Sequence, residues 1–262
     1  MHIGILQTGK INASIQDEFN SYPDMFETLL DGNPHHFFFT TFDVTASILP
    51  DSPDICDGYI VTGSSAGVYE DHIWLEPLFS FIRACSDQHL PMVGICFGHQ
   101  AIAHALGGTV VKFHDGWGVG NRQMTLHNAD QLGTIIDQQI DDSSFSLPYF
   151  HQDQVTALPE GATVTASNGF CQIGGFIMDT HILCFQGHPE FSSRYCEALL
   201  EVRRESIGNS RTDKAHASLP NGNDRQKIGS WISHFLLAIP ASPAMPATLP
   251  ARYSNRTRTG EV

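Results

Sequence analysis

The chain has 262 residues, of which 28 are Asp or Glu and 14 are Lys or Arg, giving a formal net charge of −14. That length fits one α/β domain with an ample core, and the acidic balance argues against a nucleic-acid surface. No apolar run reaches transmembrane length; the stretch from Trp231 to Ile239 is interrupted by Ser233 and His234.

Read from its start, the chain opens Met-His-Ile-Gly-Ile-Leu with no basic region. This reads as a first strand, Ile3 to Leu6, and not as a signal peptide. Residues 14–31 carry apolar side chains at Ile15, Phe19, Met25, Phe26, Leu29 and Leu30. They predict a helix broken near Pro23. Phe37 to Val44 and Tyr59 to Thr62 predict two more strands. Leu75 to Cys85 is helical by spacing, with Leu75, Leu78, Phe79 and Ile82 on one face. Met92 to Ile95 is a fourth strand, followed at once by a helical pattern from Gln100 to Leu106 that Gly107-Gly108 stops. Strands alternating with helices predict a doubly wound, mainly parallel sheet, whose sites lie at the carboxyl ends of the strands.

Beyond Val110 the pattern changes. Val110–Phe113, Gln123–Leu126, Ala162–Ala166, Cys171–Met178 and Ile182–Phe185 read as short strands, most simply as antiparallel additions to the sheet. Arg194 to Arg204 returns to a helix. Residues 205–226 are polar and read as a long loop or a mobile lid. Ile228 to Ile239 predicts a last docking helix. Residues 1–239 thus form the expected domain, and 240–262, rich in Pro, Ala, Thr, Ser and Arg, the expected disordered tail.

Chemistry concentrates at two places. Pro91-Met-Val-Gly94-Ile-Cys96-Phe97-Gly98-His-Gln100 puts a cysteine on a sharp turn between strand and helix. A helix N-terminus carries partial positive charge and unpaired N–H groups, which favour a thiolate. Glycines two residues before and after the nucleophile relieve the crowding of such an elbow, as in the G-x-S-x-G turn of serine hydrolases. The N–H of Phe97 then points where an oxyanion would form. Downstream, Gln186-Gly-His188-Pro-Glu190 ends another apolar run. On an extended backbone His188 and Glu190 face the same way. Cysteine, imidazole and carboxylate are the parts of a nucleophilic triad: His188 moves the proton and Glu190 orients and stabilises the imidazolium. The plainer alternatives are a small buried hydrophobe for Cys96 and an ordinary tripeptide for His-Pro-Glu. A third segment, Gly58 to Tyr69, is a strand running into the loop Thr62-Gly63-Ser64-Ser65. Its backbone N–H groups can offer a second oxyanion donor, or it is a simple βα turn. It lacks the spacing and lysine of a phosphate-binding P-loop.

These residues resemble the class I, triad-type glutamine amidotransferases, in particular free-standing proteins similar to the glutaminase domain of GMP synthetase. Some of that branch resemble the γ-glutamyl peptidases of plants. The resemblance covers most of residues 1–239. It rests on Gly94-Ile-Cys-Phe-Gly-His-Gln100, Gly187-His-Pro-Glu190, Thr62-Gly-Ser-Ser65 and His151-Gln-Asp153-Gln-Val155. It implies a flavodoxin-like α/β fold, Cys96 as nucleophile with His188 and Glu190, and Gly63 and Phe97 as oxyanion donors. It also implies that Gln100 lies near the bound glutamyl group. His151 and Asp153 match a His-x-Asp element beside the site; packing around their loop is the alternative role. No synthase domain is expected after residue 239. The expected reaction is hydrolysis of a γ-glutamyl amide through a cysteine thioester, releasing glutamate and ammonia or an amine, with no cofactor and no metal. The substrate is glutamine or another γ-glutamyl compound. A separate synthase subunit taking ammonia, a stand-alone γ-glutamyl peptidase, and a non-catalytic ligand-binding or partner-regulating module all remain open; nucleic acid and membrane are not expected partners. Six cysteines without C-x-x-C or zinc spacing fit a reducing cytoplasm.

Overall fold

The computed structural model describes residues 1–31 and 37–238. The expected tail at 240–262 and the end of the last predicted helix lie outside the described residues. In chain order the elements are β1 (His2–Gln7), α1 (Tyr22–Leu30), β2 (Phe38–Asp43), β3 (Gly58–Val61), α2 (Leu75–Asp87), β4 (Met92–Ile95), α3 (Phe97–Ala105) and β5 (Thr109–Lys112). There follow β6 (Gly118–Leu126), α4 (Ala129–Ile135), β7 (Ser144–His151), β8 (Asp153–Ala157), β9 (Ala162–Ser167), β10 (Gly175–Met178) and β11 (Ile182–Phe185). The last helices are α5 (Ser193–Val202), α6 (Arg204–Ile207), α7 (Asn209–Ser218) and α8 (Arg225–Ala238).

Nine strands form one sheet in the order β2-β1-β3-β4-β11-β10-β9-β6-β7. From β2 to β11 the neighbours run parallel; from β11 to β7 they run antiparallel. The edge strand β2 buries only Phe42, whereas β1, β3, β4 and β11 are buried on both faces and so read as largely apolar runs. Their side chains still alternate between two cores. Ile60, Val93, Ile95, Leu183 and Phe185 point to one face, under Phe26 and Leu29 of α1 and Ile228, Trp231, Ile232 and Phe235 of α8. Tyr59, Val61, Met92, Ile182 and Cys184 point to the other, under Leu78 and Ile82 of α2 and Ala101 and Ile102 of α3. A smaller core joins α5, α6 and α7 through Tyr195, Leu199, Leu200, Ile207 and Ala215.

Several expectations are corrected. The helix expected from residue 14 starts only at Tyr22, residues 14–18 being turns, and Pro23 does not break it but sits in the first turn of α1, where its missing N–H costs nothing. Ser21 caps that turn, its hydroxyl accepting from the Asp24 N–H while the Asp24 carboxylate accepts from the Ser21 N–H. Residues 205–226 are not a long loop. They form α6, α7 and a short 3₁₀ turn at Leu219–Asn221, with Ile207, Thr212, Ala215 and Leu219 buried. β6 starts at Gly118, well before Gln123, and β7, β8 and α4 are elements beyond those predicted. β7 carries Pro148, which an edge strand tolerates because one side of its backbone has no ladder partner. β8 pairs with β5 in a separate two-stranded sheet.

Candidate active site

The topology sets β4 between β3 and β11. Val61 lies opposite Gly94, and Ile95 opposite Phe185. The three parallel strands therefore end together, and the segments that follow each of them meet. Cys96 follows β4, Gly63 follows β3, and His188 follows β11.

Cys96 occupies the junction of β4 and α3 with φ 54° and ψ −102°. A side chain rarely adopts this conformation, and such strain persists only where the surroundings over-determine it. Here the Cys96 N–H donates to the Phe185 carbonyl at 2.9 Å, and the Gly98 N–H donates to the Thr62 carbonyl at 3.1 Å. The bracketing glycines have a steric cause. A Cβ on Gly94 would lie 2.7 Å from the Gly98 carbonyl oxygen, and one on Gly98 would lie 2.1 Å from the Val61 carbonyl oxygen. Phe97 opens α3, so its N–H has no acceptor within the helix. Its ring turns into the core against Trp74. Gly63 sits over the pair: a Cβ there would be 3.1 Å from His188 Cε1 and 3.8 Å from Cys96 Cβ. Thr8 steadies that loop, its hydroxyl donating to the Thr62 carbonyl at 2.9 Å and its N–H to the Thr62 hydroxyl at 3.0 Å.

His188 and Glu190 are each 3% exposed. Imidazole Nδ1 lies 2.7 Å from Glu190 Oε1. A carboxylate only accepts, so Nδ1 carries the proton and Nε2 is left for the thiol. The pair does not lie on an extended backbone. It sits in a turn, with the Phe191 N–H reaching the His188 carbonyl at 3.4 Å and the His188 N–H bound to the Pro148 carbonyl at 2.8 Å. Phe191 stacks flat on the imidazole, with centroids 3.9 Å apart and planes 6° from parallel. Burial alone would push the His188 pKa down; the Glu190 carboxylate and the Cys96 side chain outweigh it and hold it up at about 10.

A cleft of about 230 Å³ opens above Cys96 and His188. Each candidate binding residue from the sequence lies on its wall. The Gln100 amide is engaged, with Nε2 donating to the Asp153 carbonyl at 2.9 Å and to Gln186 Oε1 at 3.1 Å. His151 Nδ1 donates to the Asp153 carbonyl at 3.0 Å. Burial pulls its pKa down to about 4, with Arg122 and His188 adding to the effect against that hydrogen bond, so the ring is neutral at pH 7. Asp153 Oδ1 accepts from the Tyr69 hydroxyl at 2.9 Å. Burial raises the Asp153 pKa against the opposing pull of Tyr69 and Lys112.

Some residues at the site carry no signal in the sequence. Tyr22, Phe150 and Arg203 line the cleft, and Arg225 of α8 braces it from behind. Arg225 Nε donates to the Pro189 carbonyl at 2.6 Å, and Nη2 to the Glu190 carbonyl at 2.9 Å. These bonds lock the turn that presents His188 and Glu190. A guanidinium gripping main-chain carbonyls leaves no pattern in side-chain types.

Comparison with known proteins agrees with this architecture. The profile of the family described as glutamine amidotransferase class-I matches residues 39–201. A glutamine amidotransferase-like protein of Schizosaccharomyces pombe is 27% identical over 252 residues, covering 90% of this chain and 98% of the relative. Gamma-glutamyl peptidase 5 of Arabidopsis thaliana is 30% identical over 201 residues, covering 74% of this chain and 80% of the relative. The crystal structure of a glutamine amidotransferase from Methylobacillus flagellatus superposes with a TM-score of 0.69 at 21% identity, over 90% of this chain and 92% of that one. Because the family profile spans more than half of the residues, within the same mixed sheet and flanking helices as that structure, the chain belongs to the class-I glutamine amidotransferase family.

Proposed function

We propose that this protein hydrolyses γ-glutamyl amides, with Cys96 as nucleophile, His188 as proton carrier and Glu190 as its orienting carboxylate. The observation that carries the reading is the buried 2.7 Å His188–Glu190 contact beneath a cleft floored by a strained, glycine-bracketed cysteine. Cys96 Sγ, its proton already held on His188 Nε2, attacks the γ-carbonyl carbon. The oxyanion that forms is met by the N–H groups of Phe97 and Gly63. On collapse the C–N bond breaks, the leaving amine takes the proton from His188, and a γ-glutamyl thioester remains on Cys96. Water then attacks the thioester carbon, yielding a proton to His188. The C–S bond breaks, Sγ is freed as the thiolate with the proton kept on His188, and glutamate leaves. Gln100, His151 and Asp153 shape the glutamyl end of the cleft, Gln100 and His151 by bracing the Asp153 backbone.

The walls of Trp117, Phe150, Leu199 and Arg203 leave room for a leaving group larger than ammonia. This favours a γ-glutamyl peptide or amine as substrate over glutamine destined for a separate synthase subunit. We place the catalytic unit at residues 1–239. A reducing, cytoplasmic setting suits six free, buried thiols; among the described residues no helix is long and apolar enough to cross a membrane. The deciding experiment is glutamate release from a panel of glutamine, γ-glutamyl dipeptides and γ-glutamyl amines, paired with alkylation by 6-diazo-5-oxo-norleucine. Release from at least one substrate, with the label on Cys96, supports the reading. No release and no labelling refutes it and leaves a binding module.

A further inference from the structure

Away from the catalytic cleft, an open groove of about 720 Å³ lies between β6 and the start of α7. Its wall carries Arg122, Arg211 and Lys214 and no acidic residue. In a chain with twice as many acidic as basic side chains, such a wall runs against the overall charge. Several cations elsewhere are neutralised: Arg83 pairs with Glu76, Arg204 with Glu201 and Asp213, and Lys227 with Asp142 and Asp224, while Lys112, Arg203 and Arg225 stand outside this wall and also form no ion pair among the described residues. Among the described residues, Arg122, Arg211 and Lys214 form no ion pair.

The two guanidinium groups are held in place by neutral partners. Arg122 Nε donates to the Val119 carbonyl at 3.3 Å, and its guanidinium lies 4.5 Å from the centre of the Phe170 ring. Arg211 Nη2 donates to the Asp115 carbonyl at 2.7 Å. Each guanidinium has five N–H donors, so most remain for a ligand. The two are close enough to repel: burial lowers the Arg122 pKa, and Arg211 lowers it further. Like charges brought together without a counter-ion are costly, and a bound anion removes that cost. The first turn of α7 adds its own N–H groups, because no side chain caps it.

We propose that this groove is a binding site for a small phosphate-bearing molecule. An open groove that gathers three cations at a helix start suits a small polyanion, and titration with poly-glutamate separates it from an acidic protein partner. Forked guanidinium groups match phosphate oxygens in pairs. Nothing in the hydrolysis of a γ-glutamyl amide requires the site, so its occupant is an additional ligand of the protein.

Inorganic phosphate and pyrophosphate are titrated into the full chain by calorimetry, at ionic strength held constant with chloride. Saturable binding is expected, tighter for pyrophosphate. Lys214→Gln and Arg211→Gln should each weaken it about tenfold or more, the loss of one charge-assisted contact. Lys214 is exposed and makes no internal ion pair, so its variant keeps the test valid even where Arg211→Gln frees the β5–β6 loop that Arg211 holds through the Asp115 carbonyl. The proposal is overturned if neither anion binds better than chloride. It is also overturned if both variants bind as the parent does. Binding of poly-glutamate without binding of either phosphate compound overturns it in favour of an acidic protein partner.

Discussion

Gly98→Ala isolates the steric logic of the elbow. The added Cβ would lie 2.1 Å from the Val61 carbonyl oxygen, 2.7 Å from the Val61 carbonyl carbon and 2.9 Å from Val61 Cβ. A carbon–oxygen contact relaxes near about 3.3 Å, so the start of α3 must move by on the order of 1 Å. Val61 cannot yield in its place, because β3 is ladder-bonded between β1 and β4. The motion stretches the 3.1 Å bond from the Gly98 N–H to the Thr62 carbonyl. It also carries Cys96 and the Phe97 N–H away from His188. Overpacking of this kind costs about 1–3 kcal/mol, and a misplacement of about 1 Å at a reacting centre costs about 10²-fold in rate. Urea unfolding and glutamate release, measured on the same preparation, separate the two losses. Gly169→Ala is the control, since a Cβ there meets nothing within 4 Å and its φ is ordinary. If Gly98→Ala matched the Gly169→Ala control in both midpoint and rate, the contact geometry would be irrelevant and the elbow argument wrong.

Cys96→Ala should lower kcat for glutamate release by on the order of 10⁴ or more with far-UV circular dichroism unchanged, whereas replacing Cys56, Cys85, Cys171, Cys184 or Cys196 should alter stability and leave kcat near the parent value. Glu190→Gln should retain more activity than His188→Ala, because the carboxylate orients and stabilises while the imidazole transfers the proton; equal losses would assign Glu190 a larger role. The raised His188 pKa stabilises the fold fully below the unfolded value near 6.5 and loses that contribution as pH rises through about 10. Stability measured between those limits should therefore decline more steeply in the parent than in His188→Gln, and parallel slopes would contradict the assignment. Arg225→Ala should cut kcat about tenfold or more with KM little changed, by freeing the Pro189–Glu190 turn that it holds at 2.6 and 2.9 Å. Arg225→Lys should recover part of that loss, and a change confined to thermal stability would reduce Arg225 to a structural tie.

The parallel half of the sheet was legible because burial on both faces writes itself into residue type. Met92–Ile95 and Ile182–Phe185 are the observed bounds of β4 and β11 and also the bounds of two apolar runs. The antiparallel half was less so. β6 begins with Gly118, Gly120 and Asn121, and Gly120 has φ 83°, so neither alternation nor β propensity marks its first half. In α7 only Thr212 and Ala215 are buried, too few apolar positions to set a helical period against so polar a composition. What makes α7 a helix is its packing on β6 and α5, nearly a hundred residues away in the case of the Ser218 hydroxyl, which accepts from the Asn121 N–H at 2.8 Å.

The same division runs through the candidate site and follows from how each requirement is met. A constraint satisfied by removing atoms leaves a trace: Gly94 and Gly98 can be nothing larger while their Cβ positions fall on backbone, so the elbow is visible in one line of sequence. A constraint satisfied by side-chain chemistry at a fixed spacing, such as Cys96 before a helix or His188 two residues from Glu190, is visible as well. A constraint satisfied by a side chain gripping backbone is silent. Any residue offers the carbonyls that Arg225 binds at Pro189 and Glu190, and any chain crossing could bring Tyr22 to the cleft wall. The extended-strand argument for His188 and Glu190 assumed a local geometry that the structure does not have. The two side chains converge because a turn is held from outside, by the Pro148 carbonyl on one side and by Arg225 on the other. The tightness of the 2.7 Å contact is thus a property of two distant segments acting on one turn, and substitutions at those segments should move the His188 pKa without touching the imidazole or the carboxylate.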